Sequence, residues 1–78
     1  MTSMKELLII IAKNLVDSPD DVVVTEDFRD GAQVLKLTVA PDDMGKVIGK
    51  QGRIARAIRT VVKAAAIHAD EKIVVEIV

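Results

Sequence analysis

The residues of this chain best suited to chemistry lie in one short run, Gly49-Lys50-Gln51-Gly52, with Val47-Ile48 before it and Arg53-Ile54 after it. Two glycines three apart let a chain turn tightly and leave its backbone uncovered by Cβ groups. A helix starting just after such a turn aims free N–H groups and the positive end of its dipole at the loop. Lys50 adds a mobile cation. The chemistry this implies is the holding of an anion, although a Gly-x-x-Gly turn between helices is a purely structural device in most proteins. Gly45 to Lys50 also approaches a P-loop, but the spacing is one residue short and Gln51 stands where a Ser or Thr should meet magnesium. The dinucleotide fingerprint Gly-x-Gly-x-x-Gly is missing.

Catalytic constellations do not rise above background. His68 is the single histidine and sits near the end of a predicted helix, where it meets the helix dipole. Asp20-Asp21 and Asp42-Asp43 fall at a turn and a helix start, where capping accounts for them. Ser3 and Ser18 have no base nearby in the sequence. The chain has no cysteine, which removes disulfide scaffolds and Cys-based zinc sites. We therefore expect a binder, not an enzyme, with no cofactor and no metal.

The elements that must position the turn follow from periodicity. Ser3 with Glu6 fits a capping box and opens a helix to about Val16. Asp17 to Asp21 breaks it, and Val22 to Phe28 is β-branched and strand-like. Asp30-Gly31 is a two-residue hairpin turn, followed by an alternating strand from Ala32 to Val39 with Leu35, Leu37 and Val39 on one face. A short helix from Pro41 to about Ile48, capped by an Asp, leads into the Gly-x-x-Gly interruption. A longer helix runs from Arg53 to about His68, and Ile73 to Val78 closes the chain as a strand. The order α-β-β-α-α-β over a single domain (residues 1–78) predicts an α+β fold, a three-stranded sheet with three helices on one face. The 78 residues exclude two domains.

Charge is partitioned along the chain. Eleven basic against twelve acidic residues give a net charge of -1, which on its face disfavours a polyanionic partner. From Met44 to Ala69, however, there are six basic residues (Lys46, Lys50, Arg53, Arg56, Arg59, Lys63) and no acidic one, so this segment carries +6 and the remainder -7. Screening confines a polyanion's view to within ~8 Å at physiological salt, so the local +6 is what it meets. On the long helix Arg56, Arg59 and Lys63 fall within about 60° of one another. Ile54, Ile58, Val61 and Ala65 form the expected buried stripe opposite. A solvated charged face is ordinary for a surface helix. Twenty-six residues without an acid in an otherwise acidic chain is not.

In this context Val47-Ile48-Gly49-Lys50-Gln51-Gly52-Arg53-Ile54, framed by helices inside α-β-β-α-α-β, resembles the KH domain in its type II order. Over essentially the whole chain it is similar to the small single-domain bacterial KH proteins of the KhpA type. The resemblance implies single-stranded RNA as partner, with the loop clamping the backbone of about four nucleotides. It assigns RNA binding to the loop residues Gly49, Lys50, Gln51 and Gly52 and to the groove residues Val47, Ile48 and Ile54. From the charge pattern, Arg53 is expected to hold phosphate with Lys50, and Lys46, Arg56 and Arg59 to attract it. Val47, Ile48 and Ile54 form one wall of the groove, and aliphatics of the 32–39 strand form the other. Low sequence specificity and a role in RNA regulation or as an RNA chaperone go with it. The single aromatic residue, Phe28, is expected in the core or in local packing, and one Phe cannot furnish a stacking platform of the RRM or OB kind.

Leu7 to Ile11 spans more than a helical turn, and the long helix is apolar around much of its circumference. This surplus predicts a homodimer or a heterodimer with another KH-type protein. The alternative reading is an assembly module whose RNA contact depends on that partner. The longest apolar run, Leu7 to Ala12, is six residues against the ~20 that span a bilayer. No export signal is recognised, so the expected location is the cytoplasm.

Overall fold

The computed structural model describes residues 3–78, with the backbone alone at Lys50. Helix α1 (Met4–Leu15) is followed by a single 3-10 turn (Pro19–Asp21), strands β1 (Val23–Arg29) and β2 (Ala32–Thr38), the helical segment α2 (Pro41–His68) and strand β3 (Ile73–Ile77). Ser3 caps α1 as expected, its Oγ accepting a hydrogen bond from the Glu6 N–H at 3.1 Å. Asp30 and Gly31 join β1 to β2 with φ of 53° and 80°, the left-handed pair that matches the twist of a hairpin.

Segment α2 has two arms. Gln51 and Gly52 take φ of 64° and 67°, and two left-handed residues cannot prolong a right-handed helix. The break thus separates residues 41–50 from residues 53–68 and gives the α-β-β-α-α-β order of an α+β fold. The first arm runs to Lys50, two residues beyond its expected end. Gly49 keeps a helical backbone, and the left-handed turn falls on Gln51 and Gly52. The second arm ends at His68 in a left-handed Asp70 (φ 58°), with the Glu71 N–H donating to Ala66 O at 2.8 Å and the Asp70 N–H to Ile67 O at 3.1 Å. This is the Schellman arrangement.

The sheet order is β1-β2-β3, with β2 antiparallel to β1 and parallel to β3. Leu35 and Leu37 of β2 are fully buried beneath the helices and stand opposite Val75 and Ile77 of β3. Leu8 and Ala12 of α1, Val47 of the first arm, and Ala55, Ile58 and Val62 of the second complete the core. Burying a core leucine of this kind contributes about 2–3 kcal/mol.

Three local expectations are corrected. The buried stripe of the second arm is Ala55, Ile58, Val62 and Ala66, while Val61 is 47 % exposed and Ile54 and Ala65 are half-buried. The arm is apolar around most of its girth, so periodicity alone did not choose the face that meets the sheet. Phe28 is 72 % exposed: it points to the helix side of the sheet, but near the hairpin end of β1, opposite Gln33 and beyond the helices that cover Leu35 and Leu37. No Asp caps α2. Its N-cap is Ala40, with Pro41 at the first helical position. Asp43 is instead 2 % exposed and accepts the N–H groups of Asp17 and Ser18, both at 3.0 Å. It fastens the segment after α1 to the arm that carries the glycine turn.

Candidate nucleic-acid interface

The break in α2 opens onto a cleft of about 250 Å³, lined by Ile48, Gln51, Gly52, Ala55, Arg56, Arg59 and Ile77. Its floor is aliphatic, from Ile48, Ala55 and Ile77, and its rim carries two guanidinium groups. Arg56 has a structural duty as well. Its Nη2 donates to the Gln51 carbonyl at 3.1 Å, which fixes one peptide of the left-handed turn. Apart from its own neighbours and the local helix backbone, nothing lies within 4 Å of where a Cβ would stand on Gly49 or Gly52. The turn therefore presents bare backbone to open space, the geometry that lets another backbone approach closely.

The wall facing the second arm is β3, through Ile77, and not the 32–39 strand. The topology explains the difference. Strand β2 lies at the centre of the sheet beneath the helices, and the parallel crossover places β3 at the edge nearest the second arm. That wall was not visible from local pattern.

Of the residues named from the sequence, the cleft brings together Ile48, Gln51, Gly52 and Arg56, with Gly49 half-buried beside them. Val47 is 1 % exposed and belongs to the core, and Ile54 is packed against it. Arg53 faces a neighbouring hollow with Arg56, Ala57, Thr60 and Val61. The Lys50 side chain lies outside the described residues. Lys46 is ion-paired with Asp17. That hydrogen bond, and then the Asp17 charge, holds the Lys46 ammonium above the ordinary lysine value of 10.5. Its charge is already engaged. Arg59, expected as an attracting charge, lines the cleft as well, and Ala55 and Ile77 join it without having been named for its site. Arg59 was legible as the residue one turn beyond Arg56; Ile77 was legible only once the sheet order was known.

The described ion pairs are Lys5–Glu26, Arg29–Glu76 and Lys46–Asp17, and they leave Arg53, Arg56, Arg59 and Lys63 to solvent. These four lie exposed along the second arm. Among the described residues, no group of three His, Asp or Glu side chains could hold a metal ion. No helix among them is long and apolar enough to cross a membrane.

A left-handed Gly-x-x-Gly break between two helices, set in an α-β-β-α-α-β chain beside a three-stranded sheet, defines a KH domain of the type II order. The comparisons narrow the class. The family model described as "KhpA/KhpB, KH domain" matches residues 5–77, and the chain belongs to that family, a non-enzymatic one. It is 65 % identical over 75 residues to the RNA-binding protein KhpA of Clostridium perfringens, covering 96 % of this chain and 100 % of that one. The RNA-binding protein KhpA of Caldanaerobacter subterraneus is 57 % identical over 75 residues, with the same coverage. That of Treponema pallidum is 46 % identical over 78 residues, covering 100 % of this chain and 98 % of the relative. No solved structure matches the chain.

Proposed function

We propose that this protein binds single-stranded RNA with little sequence specificity, gripping the backbone at Gly49–Gly52 and laying bases in the cleft between the second arm of α2 and β3. The observation that carries this reading is the cleft itself. Bare turn backbone, an aliphatic floor and the Arg56–Arg59 rim meet at one place on the only long acid-free segment of the chain. The relatives' name, RNA-binding protein KhpA, supports the same ligand. Phosphates take the turn amides and the guanidinium groups, and the aliphatic floor accepts any base face, which favours contact without strong sequence readout. Such a protein acts in RNA regulation or as an RNA chaperone, in the cytoplasm.

Affinity falls with salt, with a log–log slope of roughly -2 to -3 for three or four engaged phosphates. The decisive variant replaces both Lys50 and Gln51 by Asp. Aspartate tolerates the left-handed conformation found at Gln51, so the fold survives while two carboxylates face the phosphates. Loss of RNA binding with a nearly unchanged unfolding midpoint is expected. Parent-like binding by this variant overturns the loop assignment.

A second reading, assembly, is favoured by a separate surface. Ile10, Ile11, Asn14 and Leu15 of α1 and Ala57, Ile58 and Val61 of α2 line an almost wholly apolar groove of about 400 Å³, with Ile10 53 % exposed. A second copy of the chain, or another KH-type protein, is the occupant this reading assigns. Sedimentation of the isolated chain with and without a short RNA separates the two: a dimer with no RNA uptake at low salt favours assembly alone.

A further inference from the structure

Phe28 is the single aromatic residue of the chain and stands 72 % exposed, a placement that neither the core nor the RNA cleft explains. It lies on β1, the sheet edge opposite β3, so the width of the sheet separates it from the cleft. Every residue of β1 except Val24 is exposed. The strand pairs with β2 over seven residues in one uninterrupted register and carries no proline, lysine or bulge to close its outer side.

The hairpin decides which backbone groups face outward. The Asp30-Gly31 turn closes on the hydrogen-bonded pair Arg29–Ala32, and bonded pairs alternate along an antiparallel ladder. Val23, Thr25 and Asp27 therefore bond to β2, while Val24, Glu26 and Phe28 turn their N–H and C=O groups away from it. The Phe28 N–H is met by its neighbour, Asp27 Oδ1, at 2.9 Å, which brings that carboxylate to the edge. Among the described residues no strand pairs with the outer side of Val24 and Glu26.

Charge selects the occupant of this edge. From Asp20 to Asp30 there are five acidic residues and one basic, and the basic one, Arg29, is held by Glu76 at 2.9 Å. Glu26 meets Lys5 at 3.9 Å, an exposed contact worth little. Such an edge repels RNA. A second copy also fits badly. Antiparallel pairing of β1 with itself sets Glu26 opposite the same residue of the copy, and the register two residues nearer the hairpin does so with Asp27. Like charges directly opposite destabilise a pair of strands.

We propose that the free edge of β1 docks an extended cationic segment of another protein by strand addition, with Phe28 as its apolar anchor and Asp27 as its charge partner. Phe28 and Asp27 lie on opposite faces of the strand, so the segment alternates aliphatic and cationic side chains. The docking does not depend on the RNA reading. With the cleft at the other edge, the protein can hold RNA and this segment at once and so connect the two.

The test titrates the ¹⁵N-labelled full chain with a blocked peptide of alternating lysine and valine, and with its glutamate–valine counterpart, up to millimolar concentration. The lysine peptide is expected to slow amide exchange at Val24 and Glu26 by at least about tenfold, and the glutamate peptide to leave it unchanged. Phe28→Ser should weaken the lysine peptide by at least about fivefold. Glu26→Pro removes an outward N–H, leaves the β1–β2 ladder intact and should abolish the protection, whereas Glu26→Gln should retain most of it. Unfolding midpoints check that each variant is folded. No protection at Val24 and Glu26, equal protection by both peptides, or parent-like binding by folded Glu26→Pro overturns the proposal. Protection that grows with protein concentration alone assigns the edge to a second copy, and protection by RNA assigns it to RNA; either result also overturns it.

Discussion

Gly49 is a glycine that nothing inside the protein requires. Its backbone is helical, and a Cβ built on it meets no atom within 4 Å. Glycine inside a helix costs about 0.5–1 kcal/mol relative to alanine, so Gly49→Ala should stabilise the fold by that amount. For a chain of this size 1 kcal/mol moves the midpoint by about 4–8 °C, which predicts a rise of about 2–8 °C by circular dichroism. In the RNA reading the same methyl group stands where a sugar-phosphate backbone runs against the turn. Affinity for a single-stranded 10-mer should therefore fall at least about tenfold, or ~1.4 kcal/mol. Gly31→Ala provides the opposite control. It also meets no atom within 4 Å but has φ of 80°, so it should lose about 1–2 kcal/mol of stability and, at the opposite end of β2 from the Leu37–Ile77 pair beside the cleft, leave RNA affinity unchanged. Stability and binding thus move in opposite senses at Gly49 and independently at Gly31. A Gly49→Ala protein that is more stable and still binds RNA like the parent refutes the claim that the bare backbone of the turn is the contact surface.

Other expectations follow from particular contacts. Arg56→Ala removes both a rim charge and the hydrogen bond to the Gln51 carbonyl, so RNA affinity should drop about tenfold or more, whereas Lys46→Ala, whose charge is spent on Asp17, should change it by no more than about twofold by anisotropy at low salt. Asp43→Ala leaves the Asp17 and Ser18 N–H groups without their buried acceptor and should lower stability by about 1–3 kcal/mol in urea unfolding, an effect absent from Asp42→Ala. Val61→Asp, on a position 47 % exposed, should shift sedimentation of the chain toward the monomer with little change in midpoint.

Most of the architecture was legible because local signals agreed. The Ser3 cap, the Asp30-Gly31 turn and the alternation through Leu35 and Leu37 each pointed to the element found. What the sequence could not convey was set by topology. Ile77 reaches the cleft through a parallel crossover that puts β3 at the sheet edge, and no pattern within β3 announces its neighbour. The second arm's buried face was ambiguous for a related reason: helices apolar on several sides can turn more than one stripe inward. Lys46 and Asp43 show a third limit. Each reads as an ordinary surface or capping residue until the segment after α1 folds back over the first arm, where Asp17 takes the Lys46 charge and Asp43 takes two backbone N–H groups. The net charge of -1 misleads by the same averaging, since the acid-free segment and the acidic remainder occupy different parts of the chain.

The central claim, that one cleft between the second arm of α2 and β3 receives the RNA, is tested most directly by titrating ¹⁵N-labelled protein with an unstructured single-stranded RNA and mapping amide shifts. The account predicts the largest changes at Ile48–Arg59 and Ile73–Ile77, with little movement at the β1 strand Val23–Arg29. Shifts concentrated on the Ile10–Leu15 and Ala57–Val61 groove, or on β1, with the Gly49–Gly52 amides unmoved, would contradict it.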